Sequence, residues 1–160
     1  MAELGWNWID LAQLLLAVVL GCLIGYLREL SQKPAGITTI TLVTLTSTLI
    51  MQLSYKLPGT DGTIGDPARL AAAVITGIGF LGAGVILRHG THVQGITTAA
   101  TVWLMAGVGL AVGAGYYIPA VTVVILAWIG FLIDPYTERF IESRRKRLSD
   151  KRLNDPQNRD

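Results

Sequence analysis

The amino-acid sequence predicts an all-α integral membrane protein, a bundle of about five transmembrane helices, and three observations support this fold class. Apolar residues make up 51% of the 160 residues and charged residues only 15%, whereas an average globular chain carries about 25% charged residues. More than half of the 13 basic and 11 acidic residues follow residue 133, so few charges remain to cover a soluble surface before it. Uncharged stretches recur at lengths near the roughly 17–25 apolar residues that a helix needs to cross a bilayer.

Five uncharged stretches follow one another along the chain. The first contains a single polar amide, Gln13, and the second is rich in Thr. The third has Thr76 as its one polar side chain, the fourth is rich in Gly and Ala, and the fifth has only Thr122. The predicted spans lie near residues 9–29, 37–56, 69–88, 96–114 and 117–134. The chain therefore divides into a transmembrane domain over residues 1–135 and a basic cytoplasmic tail over residues 136–160.

The loop charges predict the orientation, because cytoplasmic loops carry an excess of Lys and Arg. One side of the membrane would receive 11 of the 13 basic residues, namely Arg28, Lys33, Arg88 and those of the tail. The other side would receive Lys56 and Arg69, together with a set of aromatic residues suited to an interface: Trp6, Trp8, Tyr55, Tyr116 and Tyr117. We therefore predict that the N-terminus lies outside the cell and the C-terminus in the cytoplasm.

The stretch TGIGFLGAG at 76–84 contains G-x-G-x-x-G, which also occurs in dinucleotide-binding loops. Such a loop needs a soluble βαβ unit and an acidic residue about 20 positions on, but no Asp or Glu lies between Asp66 and Asp134. Small residues instead allow close approach of helices in lipid. The predicted helix-packing glycines are Gly21, Gly25, Gly77, Gly79, Gly82, Gly84, Gly109 and Gly113. As an alternative, the glycine run could break the third helix, as in transporters.

Ionisable groups in or beside membrane spans are costly and mark candidate functional sites. The candidate polar cluster comprises Arg28, Glu29, Asp66, Arg69, Arg88 and Thr97. Asp66 before Pro67 suits a helix N-cap, or alternatively a gate at the outer mouth. Arg28 and Arg88 suit anchoring at the inner face, or alternatively a polar cluster with Glu29 at the cytoplasmic mouth.

A polar stripe runs along the second span at helical spacing. Thr41, Thr44, Thr48 and Gln52 compose it, with Thr38 one turn earlier. Such hydroxyls commonly bond the backbone of their own or a neighbouring helix. The alternative is a hydrated path facing the bundle interior, met by Thr97, Thr98 and Thr101 of the fourth span.

The residues that carry enzyme chemistry do not form a recognisable set. No nucleophile with a base, acid pair or metal set emerges, and Cys22 is the lone cysteine, inside a span. His89 and His92, with no carboxylate or thiol near them, make a poor metal site. We therefore predict no enzymatic activity, cofactor or metal. The basic run RRKR at 144–147 should attract anionic lipid, and four basic residues are too few to indicate nucleic-acid binding.

Several longer motifs occur in a recognisable order. They are GCLIGYLRE at 21–29, KPAGITTITLV at 33–43, DPAR at 66–69, GIGFLGAG at 77–84 and GITTAATVW at 95–103. Over about residues 10–130 the chain resembles the MgtC/SapB family of bacterial membrane proteins. Many members carry Arg where this chain has Thr38, and a polar or basic residue where it has Ile40. Longer members also add a soluble C-terminal domain, so its function is expected to be absent here or supplied by a partner.

The resemblance implies a multipass protein of the bacterial inner membrane. Family members are associated with growth under magnesium limitation and with virulence. The function that it implies here is support of ion homeostasis by regulation of a membrane partner, such as an ATP synthase or a transporter. The alternative is a small ion transporter or channel, and five helices are few for a path in one protomer. A homo-oligomer in the lipid bilayer is expected.

Overall fold

A computed structural model describes residues 7–57, 66–89 and 92–133. Within them the chain forms helices α1 (Trp8–Leu30), α2 (Ile37–Lys56), α3 (Pro67–Val85), α4 (Ile96–Gly113) and α5 (Tyr117–Ile133), and strands β1 (Leu87–His89) and β2 (His92–Gln94). The first four helices are long and apolar enough to cross a membrane, and α5 is shorter. The predicted all-α membrane fold with five helices is confirmed. The orientation in the membrane stays a prediction.

Helices α1 and α2 are antiparallel and touch backbone to backbone through two glycines. A Cβ added to Gly21 would lie 2.7 Å from Thr41 Cα, and one added to Gly25 would lie 2.5 Å from Ile37 Cα. Real Cβ atoms do not approach other atoms this closely, so only glycine allows the contact. The six residues between the helices turn through two left-handed positions, Gln32 (φ 51°) and Ala35 (φ 60°).

Helix α4 packs parallel to α2 and contributes more buried residues than any other described helix. A Cβ on Gly109 would overlap the Thr44 carbonyl oxygen, and one on Gly113 would lie 2.6 Å from the Thr48 carbonyl oxygen. We call this contact the α2–α4 glycine seam. The buried apolar side chains of the core come from α1, α2 and α4: Ala17, Leu20, Ile24, Ile40, Met105, Ala106 and Val112. Helix α4 therefore lies as close to α2 as two backbones allow.

Helix α3 runs unbroken through its glycine run, so the alternative that these glycines break the helix is not what the structure contains. Only Ile78 and Gly82 are buried on it, and a Cβ on Gly82 would make an ordinary 3.6 Å contact with Ala99 Cβ. A Cβ on Gly77, Gly79 or Gly84 would meet no atom of the described chain within 4 Å. The predicted role of these three in packing stays a prediction that requires another molecule.

A short antiparallel hairpin joins α3 to α4, where the sequence predicts a loop after a third span ending near residue 88. Strand β1 pairs with β2 in the register Leu87↔Gln94 and Arg88↔Val93. Gly95 then begins α4 with φ 89°, and a side chain there would overlap the Val85 carbonyl. The extended backbone that the hairpin needs is what shortens α3.

The contacts divide the chain into one unit over Met1–Ile125 and a second over Leu126–Asp160. Of the second unit the structure describes residues 126–133, which form the last two turns of α5 and present exposed apolar side chains such as Leu126 and Leu132. The predicted basic tail over residues 136–160 lies outside the described residues, and so does the RRKR run.

Candidate functional site

Arg28 is the most deeply buried charged group among the described residues, with 3% of its surface exposed. Its guanidinium donates to the Pro34 carbonyl oxygen from Nη2 (2.9 Å) and Nε (3.3 Å). It also donates from Nη2 to Thr98 Oγ1 (2.5 Å) and from Nη1 to Thr101 Oγ1 (3.2 Å). One side chain of α1 thus holds both the α1–α2 turn and the first turns of α4, and we call this end of the bundle the Arg28 end.

The planar guanidinium explains why Arg occupies this position. Its five donors lie in a fixed fork that can bridge acceptors on different elements. A buried ion is strongly disfavoured unless hydrogen bonds replace its water, and here neutral carbonyl and hydroxyl oxygens supply them. Arg28 therefore joins the α1–α2 turn to α4, and we call this set of hydrogen bonds the Arg28 crosspoint. It is a third role beside the two that the sequence left open.

Glu29, the neighbour of Arg28, faces the start of α2. Its Oε2 accepts a hydrogen bond from the Ile37 backbone N–H at 3.1 Å. A carboxylate at a helix N-terminus is stabilised by the unpaired N–H groups and the helix dipole. Glu29 thus caps α2, a role that the sequence did not suggest because the two residues lie on different helices.

The remaining residues of the predicted cluster separate. Arg88 lies on β1 and Thr97 at the start of α4, both toward the Arg28 end. The Thr97 side chain is exposed, and its carbonyl accepts from Thr101 Oγ1 at 2.7 Å. Thr98 and Thr101, one helical turn apart, make the contacts to Arg28. The signal for them was present in the sequence as a pair of hydroxyls on the buried face of α4.

Asp66 and Arg69 lie at the opposite end of the bundle, so the structure does not join them to Arg28. Asp66 Oδ1 accepts from the backbone N–H groups of Ala68 (3.0 Å) and Arg69 (3.3 Å), and Pro67 takes the first helical position. This is the N-cap geometry that the sequence offered as one of two interpretations. Both Asp66 and Arg69 are exposed.

We expect Asp66→Ala to lower the free energy of unfolding by about 1 kcal/mol, because two N–H groups at the start of α3 lose their acceptor. The measurement is thermal unfolding in detergent, with Asp66→Asn as the control that keeps a capping oxygen. A loss equal in both variants would show that the charge of Asp66, rather than its capping bond, matters.

The hydroxyls of the α2 stripe bond to helix backbone. Thr44 Oγ1 donates to the Ile40 carbonyl (2.9 Å), and Thr48 Oγ1 faces the carbonyls of Thr44 (3.0 Å) and Gly109 (2.9 Å). Thr44, Thr48 and Gln52 are all buried. At the level of Gly109 and Gly113 the backbones of α2 and α4 are in contact, which leaves no room for the hydrated path between these helices that the sequence allowed.

A second polar network lies where α1 begins and α2 ends, and we call this the Asp10 end. Lys56 Nζ lies 2.7 Å from Asp10 Oδ2, Gln52 Nε2 donates to Gln13 Oε1 at 2.7 Å, and Gln13 Nε2 donates to Tyr117 Oη at 2.8 Å. The sequence shows Gln13 and Gln52 as isolated amides inside otherwise apolar helices, but it does not predict that they contact each other.

Groups of three or more His, Cys, Asp or Glu side chains that could hold a metal ion do not occur among the described residues. The one cysteine, Cys22, is half-buried, and its Sγ lies 3.4 Å from Thr41 Oγ1. The two ends of the bundle therefore offer hydrogen-bonding groups and single charges.

Comparison with known proteins places this arrangement in a family. The MgtC family model matches residues 14–140. An uncharacterized protein of Haemophilus influenzae is 38% identical over 142 residues (85% of this chain and 60% of the relative), and the SapB protein of Bacillus subtilis is 38% identical over 148 residues (89% and 64%). The MgtC protein of Salmonella typhimurium is 43% identical over 113 residues (71% and 47%).

The chain thus spans about half to two thirds of the length of these curated relatives. No solved structure matches it. The family match includes all five helices apart from the first turns of α1, and it contains the Arg28 crosspoint and the α2–α4 glycine seam. The matched region holds the apolar helices of a multipass membrane protein, and the chain belongs to the MgtC family.

Proposed function

We propose that this protein is a non-enzymatic component of the bacterial inner membrane that supports ion homeostasis under magnesium limitation by regulating a membrane partner. The observation that carries this proposal is the backbone contact between α2 and α4 at Gly109 and Gly113. A bundle closed along this seam is suited to acting through its surface rather than by conducting ions between these helices. The partner that the family resemblance implies is a membrane ATP synthase or a transporter.

The face of α3 supports this proposal. A Cβ added to Gly77 or Gly84, which lie seven residues apart and so share a face, would meet no atom within 4 Å among the described residues, and Phe80 between them is 82% exposed. In lipid, small residues promote helix association because they let another backbone approach closely. A membrane-embedded partner or a second copy of this chain has the chemistry to fit such a face.

The alternative function is an ion transporter or channel built by an oligomer, with its path between protomers. The same open face of α3 favours a path between protomers over a path inside one protomer. Regulation and transport make opposite predictions for the purified protein, so one reconstitution experiment separates them.

We expect the full chain, reconstituted into liposomes, to show no flux of Mg²⁺, K⁺ or H⁺ above that of empty liposomes. The tagged chain in bacterial membranes should recover an ATP synthase or an ion transporter. Gly84→Leu should reduce this recovery. Gly107→Leu is the matched control, since at neither position would an added Cβ meet an atom of the described residues within 4 Å. Flux well above empty liposomes would overturn the regulatory function in favour of transport.

A further inference from the structure

The polar network at the Asp10 end surrounds a cavity of about 350 Å³. The residues that line it are Asp10, Gln13, Gln52, Tyr55, Lys56, Gly113, Ala114 and Gly115. Asp10 is the one carboxylate in this set and Lys56 the one ammonium. The C-terminal end of α4 adds partial negative charge, because the last carbonyl groups of a helix lack partners within the helix.

One atom of this network lacks a partner. Gln52 is 2% exposed, and its Oε1 has no hydrogen-bond donor among the described residues. The orientation of the amide is set, because Nε2 faces two acceptors, the Asp10 carbonyl oxygen (2.8 Å) and Gln13 Oε1 (2.7 Å). A flipped amide would place oxygen against oxygen. Buried acceptors are nearly always satisfied in folded proteins, by protein groups or by ordered water, so this oxygen can accept from a further donor or contact a cation.

We propose that this cavity is a binding site for a monovalent inorganic cation, and that the Lys56 ammonium is its tethered occupant. The ammonium neutralises Asp10 at 2.7 Å but leaves Gln52 Oε1 without a donor. One carboxylate with neutral amide and carbonyl oxygens suits Na⁺ or K⁺. Ca²⁺ usually binds through several carboxylate and carbonyl oxygens, and Mg²⁺ requires near-octahedral geometry and keeps several waters. Softer metals need imidazole or thiolate ligands.

The tethered cation has a consequence for the wild type. An inorganic ion must displace the Lys56 ammonium, which is covalently held beside Asp10. The effective concentration of such a tethered group is high, so the apparent affinity of the site for Na⁺ or K⁺ is low. Binding of Na⁺ or K⁺ should therefore be visible only when the ammonium is removed. Under the orientation that the loop charges predict, the cavity opens on the outer side of the membrane.

The experiment is thermal unfolding of the full chain in detergent, in NaCl, KCl, MgCl₂ or choline chloride at equal ionic strength. Lys56→Met should unfold about 5 °C higher in NaCl or KCl than in choline chloride, if the ion is about tenfold above its Kd. The wild type and Lys56→Arg, which keeps a tethered cation, should show no difference between these salts. The double variants Asp10→Asn/Lys56→Met and Gln52→Leu/Lys56→Met should lose the effect.

Two results would overturn the site. One is equal unfolding of Lys56→Met in all four salts, and the other is a rise in MgCl₂ alone, which would assign a different class of ion. Should Lys56→Met aggregate in choline chloride, its yield of monodisperse protein becomes the measurement. Recovery in KCl or NaCl would support the site, and equal loss in every salt would contradict it.

Discussion

Gly109→Ala is expected to destabilise the protein by about 1–3 kcal/mol, the range observed when extra methyl groups are forced into packed cores. The added Cβ would overlap the Thr44 carbonyl oxygen and lie 2.8 Å from Ser47 Cβ. The first of these atoms belongs to the backbone of α2 and cannot rotate away. The clash can therefore be relieved only if the whole of α4 moves away from α2. This movement also strains the hydrogen bond from Thr48 to the Gly109 carbonyl.

Gly107→Ala is the matched control, because it makes the same chemical change on the same helix two residues away. A Cβ on Gly107 would meet no atom within 4 Å in the part of the chain that the structure describes, and alanine raises helix propensity by about 0.8–1 kcal/mol over glycine in water. Thermal unfolding in detergent should therefore place Gly107→Ala at or above the wild type and Gly109→Ala well below it. Equal midpoints for the two variants would contradict the close contact between α2 and α4.

Gly109→Leu tests the same contact more severely. A leucine has no rotamer that avoids the first clash, since the conflict begins at Cβ. We expect this variant to give no monodisperse protein, whereas Gly107→Leu should be recovered. This comparison separates the position of the glycine from the general effect of adding an apolar side chain in the membrane.

The sequence predicted the number of helices and their limits to within a few residues, because uncharged length is a direct requirement of the bilayer. It also predicted that glycines at Gly21, Gly25, Gly109 and Gly113 would lie on packing faces. What the sequence could not predict was the partner of each glycine. Spacing places residues on a face of one helix, but the partner depends on the order in which helices pack around each other.

The candidate site shows the same limit more sharply. The six residues of the candidate polar cluster share one property, an ionisable or polar side chain near a span. In the structure, Asp66 and Arg69 lie at the other end of the bundle from Arg28 and Arg88. The hydrogen bonds described above join Arg28 to a proline carbonyl and two Thr hydroxyls. These partners carry no charge, so they give no sign in a search for ion pairs. The hydrogen bond between Gln13 and Gln52 likewise joins two uncharged side chains, so a search for ion pairs does not reveal it.

Arg28→Lys is expected to cost about 2–3 kcal/mol, although it keeps the charge. The ammonium of Lys is a point donor on a flexible stem and cannot reproduce the planar fork of Arg. It can reach the Pro34 carbonyl or the hydroxyls of Thr98 and Thr101, but not all three with the geometry seen here. Each hydrogen bond to a charged group that is lost removes about 1.5–3 kcal/mol, and a buried charge remains.

Arg28→Met separates geometry from charge. It removes the buried ion together with its desolvation cost, while the buried oxygens Thr98 Oγ1 and Thr101 Oγ1 each lose a donor. A buried acceptor left without a donor costs about 1–3 kcal/mol. If the fork geometry is what matters, Lys and Met are both destabilising. Thermal unfolding in detergent measures this, with the exposed Arg69→Lys as the control that should match the wild type.

A local measurement distinguishes the crosspoint from a general loss of stability. Arg28 fixes the turn over residues 31–36 through the Pro34 carbonyl, and the backbone N–H groups of Gln32 and Lys33 in that turn donate to the carbonyls of Glu29 and Arg28. These amides exchange with deuterium only when the turn opens, so their exchange rate follows the population of the open form when opening is fast. We expect both amides to exchange about tenfold or more faster in Arg28→Lys and Arg28→Met, since about 1.4 kcal/mol of local stability corresponds to a factor of ten. Exchange at the wild-type rate in both variants would show that the guanidinium does not hold the turn, and the role of Arg28 would then reduce to anchoring at the membrane face.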